Sequence, residues 1–354
     1  MSEENKHVVI FADESRDWMI AGLRQIERLG RALKETKTVG NVEVTRDTTI
    51  LANEHAICLT SSLLVTRVGM QALLPRLRRT NNKMAAEAEL RRICADLKES
   101  CRLLGSAEEI PAAEKWFMRS LGKAQDGFVA RYFDRRISTQ LSRALLQIGA
   151  QPVHATVLGF LVGFAGCFLL LRGNYVSVLE GMLLLYAFSI LDGCDGEIAR
   201  AKYLESSAGQ RLDLFVDVTV SVLFFIALGI GLAHATQKFF FLVEGLATAI
   251  LTIGSEAMLA VLAANASSSG KATAFYERHA AMLGHSGVFV FGRRAVHATI
   301  QLTKRDVSLS LFVILAVCNL SRWILHLSLG AAFLAASVAT LALIRRPTAA
   351  RSAA

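Results

Sequence analysis

Apolar residues follow two different patterns along the chain. Through residues 1 to about 150, charged and apolar residues are mixed, as they are in a globular domain. Beyond residue 153 the apolar runs become long, and only short polar stretches interrupt them as far as residue 344. Since a helix needs about 20 mostly apolar residues to cross a bilayer, the second pattern is typical of transmembrane helices. The chain is therefore expected to be part soluble and part integral to a membrane.

Six segments have the apolarity of membrane spans, although the fifth is short for a helix that crosses a bilayer. They are 153–171, 176–191, 212–233, 239–264, 307–320 and 323–344. The predicted fold class is an α-helical integral membrane domain of six transmembrane helices. A small α/β cytosolic domain and an interfacial amphipathic helix are expected to precede it.

The N-terminal segment alternates between strand and helix patterns. HVVIF reads as a strand, and a long helical pattern follows through Ile20, Leu23, Ile26 and Leu33. VEVT and AICLTSSLLV then give two further apolar runs of strand type. This alternation predicts a small layered α/β domain.

A juxtamembrane helix is predicted between the two parts, because Ile137, Leu141, Leu145 and Ile148 recur at helical spacing among arginines. Such a helix can lie in the membrane interface, and the alternative is a solvated helix that packs on the soluble domain. The domain plan is thus an α/β domain, a juxtamembrane segment, a membrane domain and a cytosolic tail. Their bounds are 1–110, 111–150, 151–346 and 347–354.

Composition narrows the class of protein further. Of the 354 residues 53% are hydrophobic, which is too apolar for an ordinary soluble enzyme. The first residues lack the basic start and apolar core of a secretory signal, so the soluble part is expected in the cytosol. The six cysteines are scattered without a CxxC pair, which argues against structural zinc and a disulfide framework.

Basic residues predict the orientation in the membrane. The net charge of +9 is read as a mark of the cytoplasmic side rather than of nucleic-acid binding. Basic residues cluster before the first span, between the fourth and fifth spans, and after the sixth. Both termini are therefore expected in the cytosol of a cell whose cytoplasmic membrane holds the protein. The segment between the second and third spans is expected on the same side.

That segment, LDGCDGEIARAKYLESSAGQRLDLFVDV, carries four aspartates next to apolar runs. Asp192 and Asp195 are three residues apart, and Asp213 and Asp217 are four apart, so each pair shares a helix face. Four neighbouring carboxylates cannot all stay ionised without cations between them. Their oxygens suit Mg²⁺ or Mn²⁺, and Arg200 adds a charge that binds phosphate. These parts predict a phosphate-transfer site.

The same residues resemble the defining motif of the CDP-alcohol phosphotransferases. The match includes all four aspartates and the small or basic positions Gly196, Ala199, Arg200 and Gly209. The resemblance covers residues 112–345, and it implies six transmembrane helices with the motif on the second and third. It also implies a homodimer, and with the orientation predicted from the basic residues the active site would face the cytosol.

The resemblance further implies a role for each matched position. Asp192, Asp195, Asp213 and Asp217 would hold a two-metal centre of Mg²⁺ or Mn²⁺, and Asp217 would also be the general base. The nucleotide would contact the four positions Gly196, Ala199, Arg200 and Gly209. The reaction would join the phosphoalcohol of a CDP-alcohol to an acceptor alcohol and release CMP, in phospholipid or inositol-phosphate-type synthesis.

The identity of the acceptor stays open between a lipid alcohol and a polyol phosphate. An acceptor phosphate would need a second anion site, for which Arg131, Arg293 and Arg294 are candidates. An alternative function is a catalytically silent or ion-transporting membrane protein, because intramembrane carboxylates often mark ion paths. Glu244 and Glu256 in the fourth predicted span favour that alternative, whereas the Gly, Ala and Arg positions of the motif do not.

The N-terminal segment is similar in outline to the nucleotidyltransferase domain of inositol-phosphate-type members of the family. Two features depart from that pattern: FADESRDWMIAG stands where a Gly-rich phosphate loop would be, and TSSLL replaces an expected metal-binding acid. A nucleotide phosphate needs backbone N–H groups at a Gly turn or a metal. A degenerate, non-catalytic domain is therefore expected.

Overall fold

The computed structural model describes residues 6–36, 39–47, 56–80, 82–122, 129–267 and 305–344. Its contacts divide the chain into two compact units. The N-terminal unit comprises Met1–Gly122, Thr139–Pro152 and Cys194–Glu205, and the membrane unit comprises Lys123–Ser138, Val153–Gly193 and Ser206–Ala354.

The N-terminal unit is built on a four-stranded sheet of order β4-β1-β5-β7. Strand β1 pairs in parallel with β4 and β5, and β5 pairs antiparallel with β7. The strands are β1 Lys6–Phe11, β4 Val39–Thr45, β5 Ala56–Thr60 and β7 Arg79–Thr80. Two small antiparallel pairs accompany this sheet: β2 Met19–Ile20 with β3 Leu23–Arg24, and β6 Leu63–Val65 with β8 Cys101–Leu103.

The helices of this unit cover the sheet and close its core. They are α1 Gln25–Glu35, α2 Arg67–Leu73, α3 Lys83–Asp96 and α4 Ile110–Ser120. Alternate strand residues such as Val8, Ile10 and Leu59 are fully buried against Leu29 and Leu33 of α1. The α/β layer predicted from the sequence is confirmed.

One predicted element of this unit is wrong. The helical pattern through Ile20 and Leu23 was expected to form one long helix, but both residues lie in the β2–β3 hairpin. Ala21 and Gly22 between the strands have positive φ angles of 46° and 68°. Two positive φ angles in succession make the two-residue turn that matches strand twist, so helix α1 begins only at Gln25.

The juxtamembrane segment forms a π-helical turn, Ala130–Asp134, and then α5, Arg135–Gln147. Ser138, Ser142 and Leu146, spaced four residues apart, are buried. Ile137 and Ile148 of the predicted apolar face are instead exposed, by 52% and 79%. The outward apolar face agrees with a helix at a membrane interface, and that placement stays a prediction.

The membrane unit consists of long apolar helices. Their bounds are α6 Pro152–Leu170, α7 Tyr175–Lys202, α8 Ser207–Thr236, α9 Phe240–Ser267, α10 Arg305–Val317 and α11 Ser321–Ile344. Short turns join α6 to α7, α7 to α8 and α8 to α9, so successive helices reverse direction. Helix α9 packs against α8 and α11.

Four of these helices are long and apolar enough to cross a bilayer: Pro152–Leu170, Tyr175–Lys202, Ser207–Thr236 and the Phe240–Met258 part of α9. The apolar helices predicted in these places are confirmed. The fifth predicted span corresponds to α10, which has only 13 residues. The number of six spans therefore stays a prediction.

Two ends of the membrane unit are distinguished below. The motif end comprises the α7 residues up to Gly193 together with the first turns of α8 and α10. The far end is where α8 finishes and α9 and α11 begin. At the far end, backbones approach closely at glycines: a Cβ added to Gly231 would lie 2.0 Å from the carbonyl oxygen of Leu170, and one added to Gly245 would lie 2.6 Å from that of Phe225. Only small residues allow such contact between helices.

Candidate active site at the motif end

Three of the four predicted aspartates come together at the motif end. Ligand oxygens of Asp192, Asp213 and Asp217 all lie within 4.8 Å of one another. Asp192 comes from α7, and Asp213 and Asp217 come from successive turns of α8. The three side chains are half-buried, so they face a partly enclosed space rather than open solvent.

The local sequence explains why α8 presents its aspartates in this way. Ser206 caps the helix, since its hydroxyl accepts a hydrogen bond of 3.0 Å from the Gly209 amide. This cap starts α8 at Ser207 and thereby sets the rotation of the whole first turn. Asp213 and Asp217 then lie one turn apart on one face, as their spacing predicts.

A guanidinium group contacts two of these carboxylates. Arg305, the first residue of α10, pairs through its two terminal nitrogens with Asp192 and Asp217. Its guanidinium carbon also lies 5.7 Å from the centre of the Phe188 ring. Sequence reasoning counted Arg305 only as a marker of membrane orientation. Its position directly before an apolar run was the available signal.

A second polar cluster of the membrane unit was also missed. The Tyr186 hydroxyl donates a 2.7 Å hydrogen bond to Asp134, which is only 7% exposed. Burial raises the pKa of Asp134, and the charge of Asp306 acts in the same direction. A tyrosine inside an otherwise apolar run, two turns before Asp192, was the signal in the sequence.

The fourth aspartate, Asp195, is not part of the three-carboxylate group. It is buried, with 7% of its surface exposed, and lies one turn after Asp192 on α7. Its role as a metal ligand stays a prediction.

The positions predicted to contact the nucleotide lie on both helices. Gly196, Ala199 and Arg200 follow Asp195 on α7, and Gly209 lies in the first turn of α8. A Cβ on Gly196 would come within 3.0 Å of an Arg200 terminal nitrogen, so the glycine leaves room for the guanidinium. The Nε of Arg200 donates a 2.8 Å hydrogen bond to the carbonyl of Leu121.

Of the three residues predicted to bind an acceptor phosphate, Arg131 is among the described residues. Arg131 is exposed in the π-helical turn before α5. Arg293 and Arg294 lie outside the described residues, so the predicted anion site stays a prediction.

The three-carboxylate group fits a divalent cation. Carboxylate oxygens are hard donors of the kind that Mg²⁺ and Mn²⁺ prefer. That a guanidinium contacts two of the carboxylates indicates that the group favours positive charge.

Comparison with known proteins identifies the class. A model of the CDP-alcohol phosphatidyltransferase family matches residues 151–334, which is just over half of the chain. The chain belongs to this family, as the motif resemblance predicted. The matched region contains the whole of the three-carboxylate group.

Similar proteins extend this result. The chain is 44% identical over 100 residues to the Archaeoglobus fulgidus protein named bifunctional IPC transferase and DIPP synthase, covering 28% of this chain and 19% of that protein. It is 39% identical over 111 residues to the Thermococcus kodakarensis protein of the same name, covering 31% and 24%. The Aquifex aeolicus protein of that name is 30% identical over 170 residues, covering 48% and 38%. The matched segments thus span less than two fifths of each of these relatives.

Proposed function

We propose that this protein transfers the phosphoalcohol group of a CDP-alcohol to an acceptor alcohol and releases CMP. Family membership and the names of the similar proteins support an enzyme of this class. The single observation that carries the proposal is the convergence of Asp192, Asp213 and Asp217 from two helices. An ion path would not require this group to coincide with the motif of a transferase family.

The residues that would hold a divalent cation are Asp192, Asp213 and Asp217, with Asp195 as a further ligand from the sequence prediction. When bound, the cation would supply charge neutralisation at the pyrophosphate of the donor. Arg200 would bind a phosphate oxygen of the nucleotide, because its guanidinium carries a fixed positive charge.

Asp217 would accept the proton of the acceptor hydroxyl. A carboxylate is a weak base, so proton transfer to Asp217 would require the acceptor hydroxyl to be held directly against it. Arg305 contacts this carboxylate and would have to share it with, or yield it to, the incoming acceptor. The partly enclosed position of the three carboxylates would limit competition from water.

We further propose a polyol phosphate acceptor of the inositol-phosphate type. The similar proteins are named IPC transferase and DIPP synthase, and the motif version DGCDGEIAR resembles that of inositol-phosphate-type members. Arg131, Arg293 and Arg294 would bind the acceptor phosphate, and the enzyme would act as a homodimer by family resemblance.

The α/β layer of the N-terminal unit would lack nucleotidyltransferase activity. At the end of β1, the Ser15 amide and hydroxyl both donate to the Asp13 carboxylate, at 3.1 and 2.6 Å. Lys83 donates to the same carboxylate at 3.0 Å, and these contacts lower the pKa of Asp13 to about 2. In the loop where a nucleotide phosphate would approach, the Asp13 carboxylate therefore already accepts the hydrogen bonds of Ser15 and Lys83. These donors would otherwise be available to a phosphate.

The test is CMP release by the purified protein in the presence of Mg²⁺ or Mn²⁺. A panel of CDP-alcohols would be combined with lipid alcohols, polyol phosphates and free polyols as acceptors. We expect CMP release that depends on both the cation and the acceptor, and that is lost on chelation. An absence of CMP release with every combination would contradict the transferase proposal.

Two additional measurements address the remaining parts. Formation of a CDP-alcohol from CTP by the full chain would contradict the proposal of an inactive N-terminal domain.

The orientation in the membrane can be tested by labelling single cysteines. Cysteines at Lys271 and Arg345 should label from the cytosolic side, and one at the exposed Lys238 should label from the opposite side. The first two positions lie outside the described residues. Labelling of all three from one side would contradict both the orientation and the six-span arrangement.

A further inference from the structure

The C-terminal end of α7 is held within the N-terminal unit. The helix ends at Lys202, and Tyr203 then takes a positive φ of 56°, after which the Leu204 amide bonds the Ala199 carbonyl at 2.8 Å. The last carbonyls of a helix lack partners within the helix. At the end of α7, two of these carbonyls receive partners from elsewhere in the same unit.

Two arginines of α1 supply those partners. A terminal nitrogen of Arg28 donates to the Ala201 carbonyl at 2.7 Å, and a terminal nitrogen of Arg31 donates to the Lys202 carbonyl at 2.6 Å. Arg28 and Arg31 are three residues apart, so they reach successive carbonyls from one face of α1. Cationic groups at this end also match the negative pole of the α7 dipole.

Arg28 is an unusual residue to bury. Its side chain has no exposed surface, it donates a second bond to the Ile20 carbonyl, and its guanidinium lies 4.4 Å from the centre of the Phe117 ring. Burial lowers the pKa of Arg28 to about 10. Burying a cation is costly unless its donors are satisfied, so the Ala201 carbonyl is part of what makes this position tolerable.

Other contacts fix the rotation of the same helix end. Tyr203 packs against the core of the α/β layer. The guanidinium carbon of Arg67 lies 4.9 Å from the centre of the Tyr203 ring, and Arg67 also pairs with Glu205. The Lys202 ammonium donates to the Ala150 carbonyl at 2.8 Å, and Ala201 is fully buried. The two arginines therefore restrain movement of the α7 end along the helix axis. The contacts of Ala201, Lys202 and Tyr203 restrain its rotation about that axis.

The motif residues of α7 lie directly before this anchored end. At 1.5 Å per residue, Asp195 is about 9 Å from Ala201 along the axis. A continuous helix transmits a rotation over so short a distance, because its backbone hydrogen bonds resist twisting. We propose that the α/β layer acts as a positioning element, in which Arg28 and Arg31 orient the Asp195–Arg200 stretch for cation and nucleotide binding. This inference rests on the transferase function proposed above.

The experiment compares Arg28→Met and Arg31→Met with the full-length wild type. Arg46→Met is the matched control, because Arg46 is also an arginine of the α/β layer but is 81% exposed and pairs only with the exposed Glu14 among the described contacts. Three quantities are measured on each protein: amide hydrogen exchange by mass spectrometry, Mn²⁺ binding by electron paramagnetic resonance, and CMP release. The first two do not require turnover.

We expect exchange in residues 196–204 to accelerate about tenfold in Arg28→Met and Arg31→Met, since each loses a charged hydrogen bond to the helix end. Exchange in β1 and β5 should stay at the wild-type level. The Mn²⁺ dissociation constant should rise about fivefold, because the predicted ligand Asp195 is less well oriented. Arg46→Met should match the wild type in all three measurements.

Two results would overturn the proposal. One is faster exchange near α7 with unchanged Mn²⁺ affinity, which would leave the arginines with a stabilising role only. The other is a uniform acceleration in β1, β5 and α7 in Arg28→Met together with wild-type behaviour of Arg31→Met, which would mean that Arg28 only maintains the fold. If wild-type protein bound Mn²⁺ but released no CMP, the transferase proposal would fail separately from this one.

Discussion

The two ends of the membrane unit both place carboxylates among apolar helices, but they treat them differently. At the far end, Glu244 of α9 is 3% exposed, and its carboxylate lies 2.6 Å from Nδ1 of His326 on α11. Aromatic rings surround the histidine: its ring centre lies 5.9 Å from that of Phe241 and 5.7 Å from that of Trp323. One acid thus has one partner, and apolar rings cover the pair.

At the motif end, three carboxylates converge, and two of them share the Arg305 guanidinium. Like charges placed so close together favour the binding of a cation, which a simple acid–histidine pair does not. The comparison indicates how the role of an acidic residue in a membrane protein can be inferred from its neighbours. A matched pair serves helix packing, whereas an excess of like charge indicates a site that binds something else.

The largest expected effect comes from Asp217→Asn. This change keeps the shape of the side chain but removes the basic oxygen, so turnover should fall by at least about a hundredfold. Binding of the CDP-alcohol should be nearly unchanged. The measurements are CMP release and a titration of CDP-alcohol in the presence of Mg²⁺. Glu244→Gln at the far end is the matched control, and its turnover should stay within about twofold of the wild type.

Near-normal turnover of Asp217→Asn would remove this residue from the role of base. A large loss of turnover in Glu244→Gln would break the comparison itself, since the far-end acid would then take part in function.

Gly231→Val should test the packing of the far end. A side chain there would overlap the Leu170 carbonyl, and relieving such an overlap costs on the order of 3 kcal/mol. The melting temperature in detergent should fall clearly. Gly254→Ala is the control, because nothing lies within 4 Å of a Cβ added to Gly254 of α9. Equal melting temperatures for the two variants would contradict the close backbone contact.

Asp195→Ala should weaken metal-dependent binding of the CDP-alcohol by about tenfold and reduce turnover with it. The reason is the predicted role of Asp195 as an additional ligand next to the three-carboxylate group. The measurement is a nucleotide titration with and without Mg²⁺. Unchanged metal-dependent affinity would show that Asp195, which is buried, serves the folding of α7 rather than the cation.

The smallest effect on turnover is expected from His326→Phe at the far end. Loss of the partner of Glu244 should destabilise the protein by about 1–3 kcal/mol, since one buried carboxylate oxygen then loses its hydrogen bond. Turnover measured below the melting temperature should be unchanged. A drop in turnover without a drop in stability would contradict a purely structural role of the Glu244–His326 pair, because the pair would then influence the motif end.

The sequence is informative where short-range spacing decides the geometry. Asp213 and Asp217 share a face because they are four residues apart on a long apolar helix, and no knowledge of other segments is needed. The long helices of the membrane unit could likewise be located from apolar length alone. The family motif added Asp192 to the same site.

Long-range partners could not be found in this way. Arg305 reaches Asp217 across 88 residues, and its position before an apolar run gives no indication of which residues it contacts. Arg28 lies in an amphipathic helix where a charged residue is normally read as solvated, yet it is fully buried because α7 ends against it. The β2–β3 hairpin was missed for a related reason, since a helical spacing of apolar residues also fits two short strands joined by a two-residue turn.

The close glycine contacts at the far end have a mechanical consequence for the aspartates. Helix backbones in direct contact resist sliding past one another, so the movement that such packing restrains least is a tilt of α7 about this contact. Gly181 of α7 contacts the Gly166 carbonyl region of α6, and it is about 16 Å along the axis from Asp192. With this lever arm, a tilt of about 5° displaces Asp192 by about 1.4 Å, which exceeds the difference of about 0.3–0.5 Å between Mg²⁺ and Ca²⁺ ligand distances. If the three carboxylates bind a cation, as proposed, the rigidity of this helix contact would therefore influence the size of the ion that they accept.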